Sequence, residues 1–274
     1  MAGTVRLIAK GLTVRWSPSG GVRPQIGNRQ KLPHRTCRRG PIVIRGLYSA
    51  AGGMHAIAQQ QDATAHNLSH AVKPGYLREV IRFEAPGPAN EIQGPAATLH
   101  TDFSPGTMEF SGHKLDLALD GPGFFAIEGP AGPMYTRNGV FQMTEAGRIV
   151  TMEGLPVMGA AGPIDLPPTT LSIEVLSNGA VIADGIEVDQ FKVVAFQDDS
   201  DLQRIGTSYF QASATAATTP TSAEVFQGYR ELSNSTIVQE MVQMISGVRQ
   251  FEAAQRALRS IGDAVAFNTR PLNR

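Results

Sequence analysis

Ile237, Met241, Met244, Val248, Phe251, Gln255, Leu258 and Val265 recur at spacings of four and three, with Gly262 holding the place between the last two. Only a helix turns that spacing into a single face, and about four repeats of it make a heptad seam, the stripe of a coiled coil. Ser233 or Asn234 is placed to cap its start, and Glu240 falls in the first turn, where the helix dipole favours an acid. A second periodic stretch lies far upstream. Leu47, Ala50, Met54, Ile57, Gln61, Ala65, Leu68 and Val72 share one face of a helix of about seven turns. Pro74-Gly75 forbids its continuation, the proline by its missing donor and the glycine by permitting a left-handed cap. A long narrow stripe suits lateral association better than a globular core. The seam is therefore expected to consist of Leu47, Met54 and Leu68 on the first helix and Ile237, Met241, Met244, Val248, Phe251 and Leu258 on the second, covered by each other and by neighbouring copies.

Between the helices the pattern changes to short alternating runs. Leu115, Leu117 and Leu119 alternate with Asp116, Ala118 and Asp120, a Gly121-Pro122-Gly123 turn follows, and Phe124–Ile127 is apolar. Further strands are expected at Met134–Met143, Arg148–Met152, Pro156–Met158 and Gln190–Phe196, with a hairpin around Ser177-Asn178-Gly179. The 29 glycines and 18 prolines fit such punctuation. The expected fold class is α+β, with N- and C-terminal α-helices pairing as a coiled coil around a central antiparallel β-rich domain. Its expected parts are a basic leader (1–42), an N-terminal helix (43–80), an extended connector (81–113), a β-rich outer domain (114–211), a linker (212–226), a C-terminal helix (227–268) and a tail (269–274).

Charge divides the chain. Residues 1–42 hold nine of its 24 Lys and Arg and none of its 24 Asp and Glu. A nucleic-acid arm would need more than the one adjacent pair Arg38-Arg39, and no apolar stretch reaches signal-peptide or membrane-span length. Neither nucleic-acid binding nor membrane insertion is expected. Cys37 stands alone, so no disulfide framework forms within one chain.

Several segments carry a family likeness beyond their periodicity. They are Ile44-Arg45-Gly46-Leu47-Tyr48-Ser49-Ala50-Ala51-Gly52-Gly53-Met54, then His66-Asn67-Leu68-Ser69-His70 and Lys73-Pro74-Gly75-Tyr76. Next come Leu115 to Phe125, containing Asp116, Gly121, Gly123, Phe124 and Phe125, and Tyr135-Thr136-Arg137-Asn138-Gly139-Val140-Phe141. Gln227-Gly228-Tyr229-Arg230-Glu231-Leu232-Ser233-Asn234 continues to Glu240-Met241-Val242 and Arg249-Gln250-Phe251-Glu252. In this order and over residues 43 to about 268, the chain resembles the bacterial flagellar rod and hook proteins. The resemblance implies a structural subunit without cofactor or catalytic residues. It implies export by the flagellar type III apparatus without a cleaved signal peptide, polymerisation with copies of itself and with other rod and hook proteins, and residence in the basal-body rod as the drive shaft of motility. Compact length and Arg249–Glu252 lean towards the proximal rod protein, with the distal rod protein next and a hook subunit as an alternative. Family members begin with Met near the first helix, so translation is expected to start at Val43 and the basic leader to be upstream sequence or else disordered. The family's usual Asn-Asn and Ala-Asn pairs stand here as His66-Asn67 and Ser69-His70, and its Thr before the glycine as Pro74.

Outside that class, an oligomeric β-domain binding module is the competing reading, and a groove of exposed aromatics would favour it. Signs of chemistry are sparse. His66 and His70 have the spacing of a two-histidine metal site, but Asn67 stands where a base would be and no third ligand is evident. Gly121-Pro122-Gly123 lacks the Lys-Ser/Thr of a phosphate loop and precedes a strand, so it reads as a β-turn. Asp116 and Asp120 read as a solvated strand face, and no nucleophile has a recognisable setting.

Overall fold

The computed structural model describes residues 42–84, 96–198, 201–213, 216–219 and 221–269, with side chains of the first helix from Ser49 onward. The expectations for the basic leader and for the Leu47 and Val265 side chains lie outside the described residues. The first helix, α1, spans Ile42–His70, and the last, α2, spans Ile237–Thr269. Among the described residues, seventeen antiparallel strands lie between them.

The core follows from one dipeptide. Successive strand residues face opposite sides, so in β5 (Phe124–Gly129) Phe125 enters one apolar cluster and Phe124 another. Phe125 packs with Leu117 and Leu119 of β4 (Leu117–Asp120), Phe141 of β7 (Phe141–Met143), Ile149 of β8 (Ile149–Thr151), and Val157, Ile164, Val181 and Phe191. Phe124 packs with Leu77, Leu202 and Phe210, edged by Phe103, Tyr135 and Phe196. A six-stranded curled sheet carries both clusters. Its order is β13 (Leu202–Ile205), β14 (Tyr209–Ala212), β6 (Gly132–Thr136), β5, β12 (Val193–Phe196) and β15 (Thr218–Thr219). The Ser177–Gly179 turn joins β9 (Ile173–Val175) to β10 (Ala180–Ala183), which also pairs with β11 (Ile186–Gln190).

Strands also occur where none was expected. The stretch read as a connector holds β1 (Glu79–Glu84), β2 (Ala96–Thr101) and β3 (Met108–Phe110). At the end of the stretch expected as a linker, β16 (Glu224–Gln227) pairs with β4, and beyond it β17 (Tyr229–Glu231) pairs with β3. Weak periodicity hid these short strands, and β3, β16 and β17 are held by partners distant in sequence.

The expected fold class is corrected on its helical half. The chain has two helices among the described residues and is otherwise β-rich, and the terminal helices do not pair as a coiled coil. Ile237, Met241 and Val248 are 44%, 51% and 49% exposed, so three of the six expected seam positions of α2 are unburied. Met244, Phe251 and Leu258 are half-buried, and polar and small groups also join the helices. Gln61 Nε2 donates to Met244 O at 3.0 Å and lies against Gly247, where a β-carbon would meet it at 2.2 Å. On α1 the buried residues are Ala56, Ala63, Thr64 and Asn67, whereas Val72 is exposed and Met54 and Leu68 are half-buried. At 100° per residue that face lies about a third of a turn from the expected stripe. Asn67 sets the rotation: its amide exchanges two 2.8 Å hydrogen bonds with the Glu79 backbone, docking α1 on β1.

Candidate functional site

Three quoted segments, remote in sequence, converge on one buried ion pair. Arg137, just beyond β6, is 5% exposed, and Glu231, at the end of β17, is 2% exposed. The Arg137 guanidinium donates from Nε to Glu231 Oε2, from Nη1 to Gly123 O (2.7 Å) and from Nη2 to Leu119 O (3.0 Å). Glu231 Oε1 accepts the Gly106 N–H at 2.8 Å. The Gly121–Gly123 turn, the Arg137 loop, the β3 approach and β17 are thus tied at one point. A buried pair is tolerable only when its remaining donors and lone pairs are met, as they are here. Burial pushes the Glu231 carboxyl above its ordinary range, opposed by Arg137 and the Gly106 N–H.

Two glycines let these segments close. Gly139 sits so near Leu117 O that a β-carbon would lie 1.9 Å from it. Gly75 has φ +64°, and its β-carbon would meet Asn138 N at 2.3 Å; its own N–H donates to Glu231 O at 2.8 Å.

A second cluster fixes α1 and the approach to α2. The Tyr76 hydroxyl, fully buried, donates to Asn67 Oδ1 at 3.0 Å. Asn234 accepts the Arg78 N–H at 2.7 Å and donates to Asp102 O and Ser104 O, both at 2.9 Å. Neither Ser233 nor Asn234 caps α2. Ser233 Oγ accepts the Ser235 N–H, and Thr236 occupies the position before Ile237. Arg204 closes the joint, its guanidinium carbon 5.1 and 5.0 Å from the Tyr76 and Phe210 ring centroids, with Nε 3.2 Å from Glu79 Oε1.

His66 and His70 share this joint, their ring centroids 4.7 Å apart. His66 Nδ1 lies 3.2 Å from Glu79 Oε2 and 3.2 Å from the Tyr76 hydroxyl. Burial lowers the His70 pKa, and His66, Lys73 and Arg204 lower it further while Glu79 opposes them. No group of three metal-ligating side chains occurs among the described residues. Asp116 is buried rather than solvated, its carbonyl accepting the Gly228 N–H, while Asp120 is exposed. Glu231 and Arg204 were not singled out from the sequence. A lone acid inside a strand segment, with Arg137 as its counterpart, was the available signal for Glu231.

Two family descriptions match the chain: the flagellar hook protein FlgE/F/G D1 domain over residues 118–183, and the flagellar basal body rod FlgEFG protein C-terminal over residues 227–263. The flagellar basal-body rod protein FlgF of Escherichia coli K12 is 31% identical over 240 residues, covering 79% of this chain and 94% of the relative. The chain belongs to the flagellar basal-body rod protein family. Rod protein FlgF of Rhizobium meliloti is 28% identical over 78% of this chain and 92% of its own length, and rod protein FlgG of Bacillus subtilis 27% identical over 79% and 94%. As a structural rod subunit of the basal body, the chain uses its quoted segments to brace the joint between α1, α2 and the β body. No helix among the described residues is long and apolar enough to cross a membrane.

Proposed function

We propose that this rod subunit polymerises with copies of itself and joins other rod and hook proteins, using the outward face of α2. One observation carries the reading. Ile237, Val238, Met241, Val242, Ile245 and Val248 are each 44–74% exposed and lie on adjoining sides of one helix. A run of that size on a soluble surface marks an interaction site. Export through the flagellar type III apparatus without a cleaved signal peptide, the proximal-rod branch and the absence of catalysis belong to the same proposal. So does the division into a helical part (43–80 and 227–268) and an outer β domain (114–211), joined by the 81–113 connector and the 212–226 linker.

The test is sedimentation and electron microscopy of the purified full chain against Ile245→Asp, a change at an exposed position. The variant is expected to keep the monomer's circular dichroism and lose assembly, because burying an unpaired carboxylate in an interface is prohibitive. Assembly of the variant like the parent would refute the use of this face. In cells, deleting the gene is expected to remove rods and swimming, and normal flagella after deletion would refute the role.

A further inference from the structure

The β1–β2 ribbon leaves an apolar side uncovered next to α1. Antiparallel partners share a face, so Ile81 with Leu99 and Phe83 with Ala97 stand on one side of the ribbon. Leu99 and Phe83 are 57% and 52% exposed there. Between Ile81, Ala97 and Leu99 on the ribbon and Gln59, Asp62, Ala63 and His66 on α1 runs an open groove of about 430 Å³. Those four α1 residues stand at i, i+3, i+4 and i+7, which is one face of a helix. Gln61, which holds α2 through the Met244 carbonyl, lies about 150° round from that face. The groove and α2 are therefore on opposite sides of α1.

On α2, Gly247 faces Gln61, and the exposed stripe centred on Ile245 is turned away from α1. Groove and stripe thus occupy opposite flanks of the two helices, and one copy cannot bring them together. A contact between two unlike surfaces of the same chain is heterologous and adds copy to copy instead of closing as a two-fold dimer. Charge agrees with this pairing. Asp62 is exposed at the groove, and Arg249, four residues beyond Ile245 on the same side of α2, is exposed at the end of the stripe. Neither has an ion pair among the described residues, whereas His66 and Glu79 at the groove are bonded to each other. Each surface therefore combines uncovered apolar side chains with one unpaired charge, and the two charges are opposite.

We infer that the groove between α1 and the β1–β2 ribbon receives the α2 stripe of a second copy, with Arg249 of the incoming helix set against Asp62. This rests on the self-assembly reading and names the surface that meets the stripe. The experiment measures the concentration at which the full chain assembles, for the parent, Asp62→Arg, Arg249→Asp and their combination. Each single reversal sets like charges against each other and is expected to raise that concentration about tenfold, while the combination returns to within about threefold of the parent. Both positions are exposed, so the variants should melt as the parent does. A second measurement puts Leu99→Cys and Ile245→Cys into separate full chains that also carry Cys37→Ser, and treats them with a short bismaleimide. Crosslinked dimer is expected when the two are mixed and from neither alone. Single reversals that assemble within about twofold of the parent, a combination no better than the singles, a mixture without dimer, or dimer from Leu99→Cys alone would overturn the inference and leave the rod reading standing. Failure of the parent itself to assemble would overturn both.

Discussion

Arg137→Met tests whether the buried ion pair holds the joint. The substitution strands the Glu231 carboxylate at 2% exposure with only the Gly106 N–H, and it frees the carbonyls of Leu119 and Gly123. Deleting one partner of a buried pair costs about 3–5 kcal/mol. Each carbonyl left dry adds about 1 kcal/mol, and the methionine stem recovers part of the packing, for a net loss of about 4 kcal/mol. In a folded body of this size that corresponds to a fall in Tm of about 8–16 °C. The assay is urea unfolding followed by far-UV circular dichroism, because the lone tryptophan, Trp16, lies in the basic leader. Arg137→Met with Glu231→Met should cost only about 1–2 kcal/mol, since it removes the charge as well as its partner. A single substitution costing under about 1 kcal/mol, or a double costing the sum of both singles, would refute the reasoning.

The same variant carries a pH signature. Burial already raises the Glu231 carboxyl, and losing Arg137 removes the charge that opposes this. A carboxyl whose folded pKa exceeds its unfolded value binds more proton when folded, so stability rises as pH falls through the folded pKa towards the unfolded one. The deficit of Arg137→Met is therefore expected to narrow between neutral pH and about pH 5. A constant deficit across that range would mean that the stranded carboxylate is not its source.

His70 titrates in the opposite sense. Its folded pKa lies below the ordinary 6.5, so stability is retained above that value and lost as pH falls from it towards the folded pKa; His70→Asn should flatten that decline in thermal melts. Gly139→Ala places a β-carbon 1.9 Å from Leu117 O and is expected to prevent accumulation of folded protein, so a normal melt would contradict the close approach. Asn234→Ala removes one acceptor and two donors between Arg78, Asp102 and Ser104, and should cost about 2 kcal/mol by urea unfolding while leaving α2 helical.

The β body was largely legible because its strands are held by local alternation and by glycines at turns. Phe124-Phe125, the Ser177–Gly179 hairpin and the Gly121–Gly123 turn each announce themselves within a few residues. What stayed hidden depends on partners far along the chain. Strand β16 sits at the end of a stretch that reads as a linker and is a strand because β4 lies beside it. Asp116 alternates with leucines like a surface acid, yet β4 is covered on both faces, so the alternation does not report exposure. Arg137 could be picked out through its neighbours, but its dependence on Glu231 spans 94 residues and no spacing rule reaches that far.

The helices were misread for a more instructive reason. The heptad stripes are expected to cover each other, with neighbouring copies adding to the cover, and the rotation of each helix is instead set by polar anchors. Asn67 turns α1 onto β1, and Gln61 meets the α2 backbone over Gly247. Those contacts position α2 so that Met244, Phe251 and Leu258 are half-buried while Ile237, Met241, Ile245 and Val248 stay at the surface. A globular protein gains by burying such residues at home. A subunit that must associate gains by holding the helix through hydrogen bonds and small residues and leaving the apolar face outward. On the proposed self-assembly, the exposed seam positions are contacts of the assembly, while the glycines and amides beside the seam report packing within the chain.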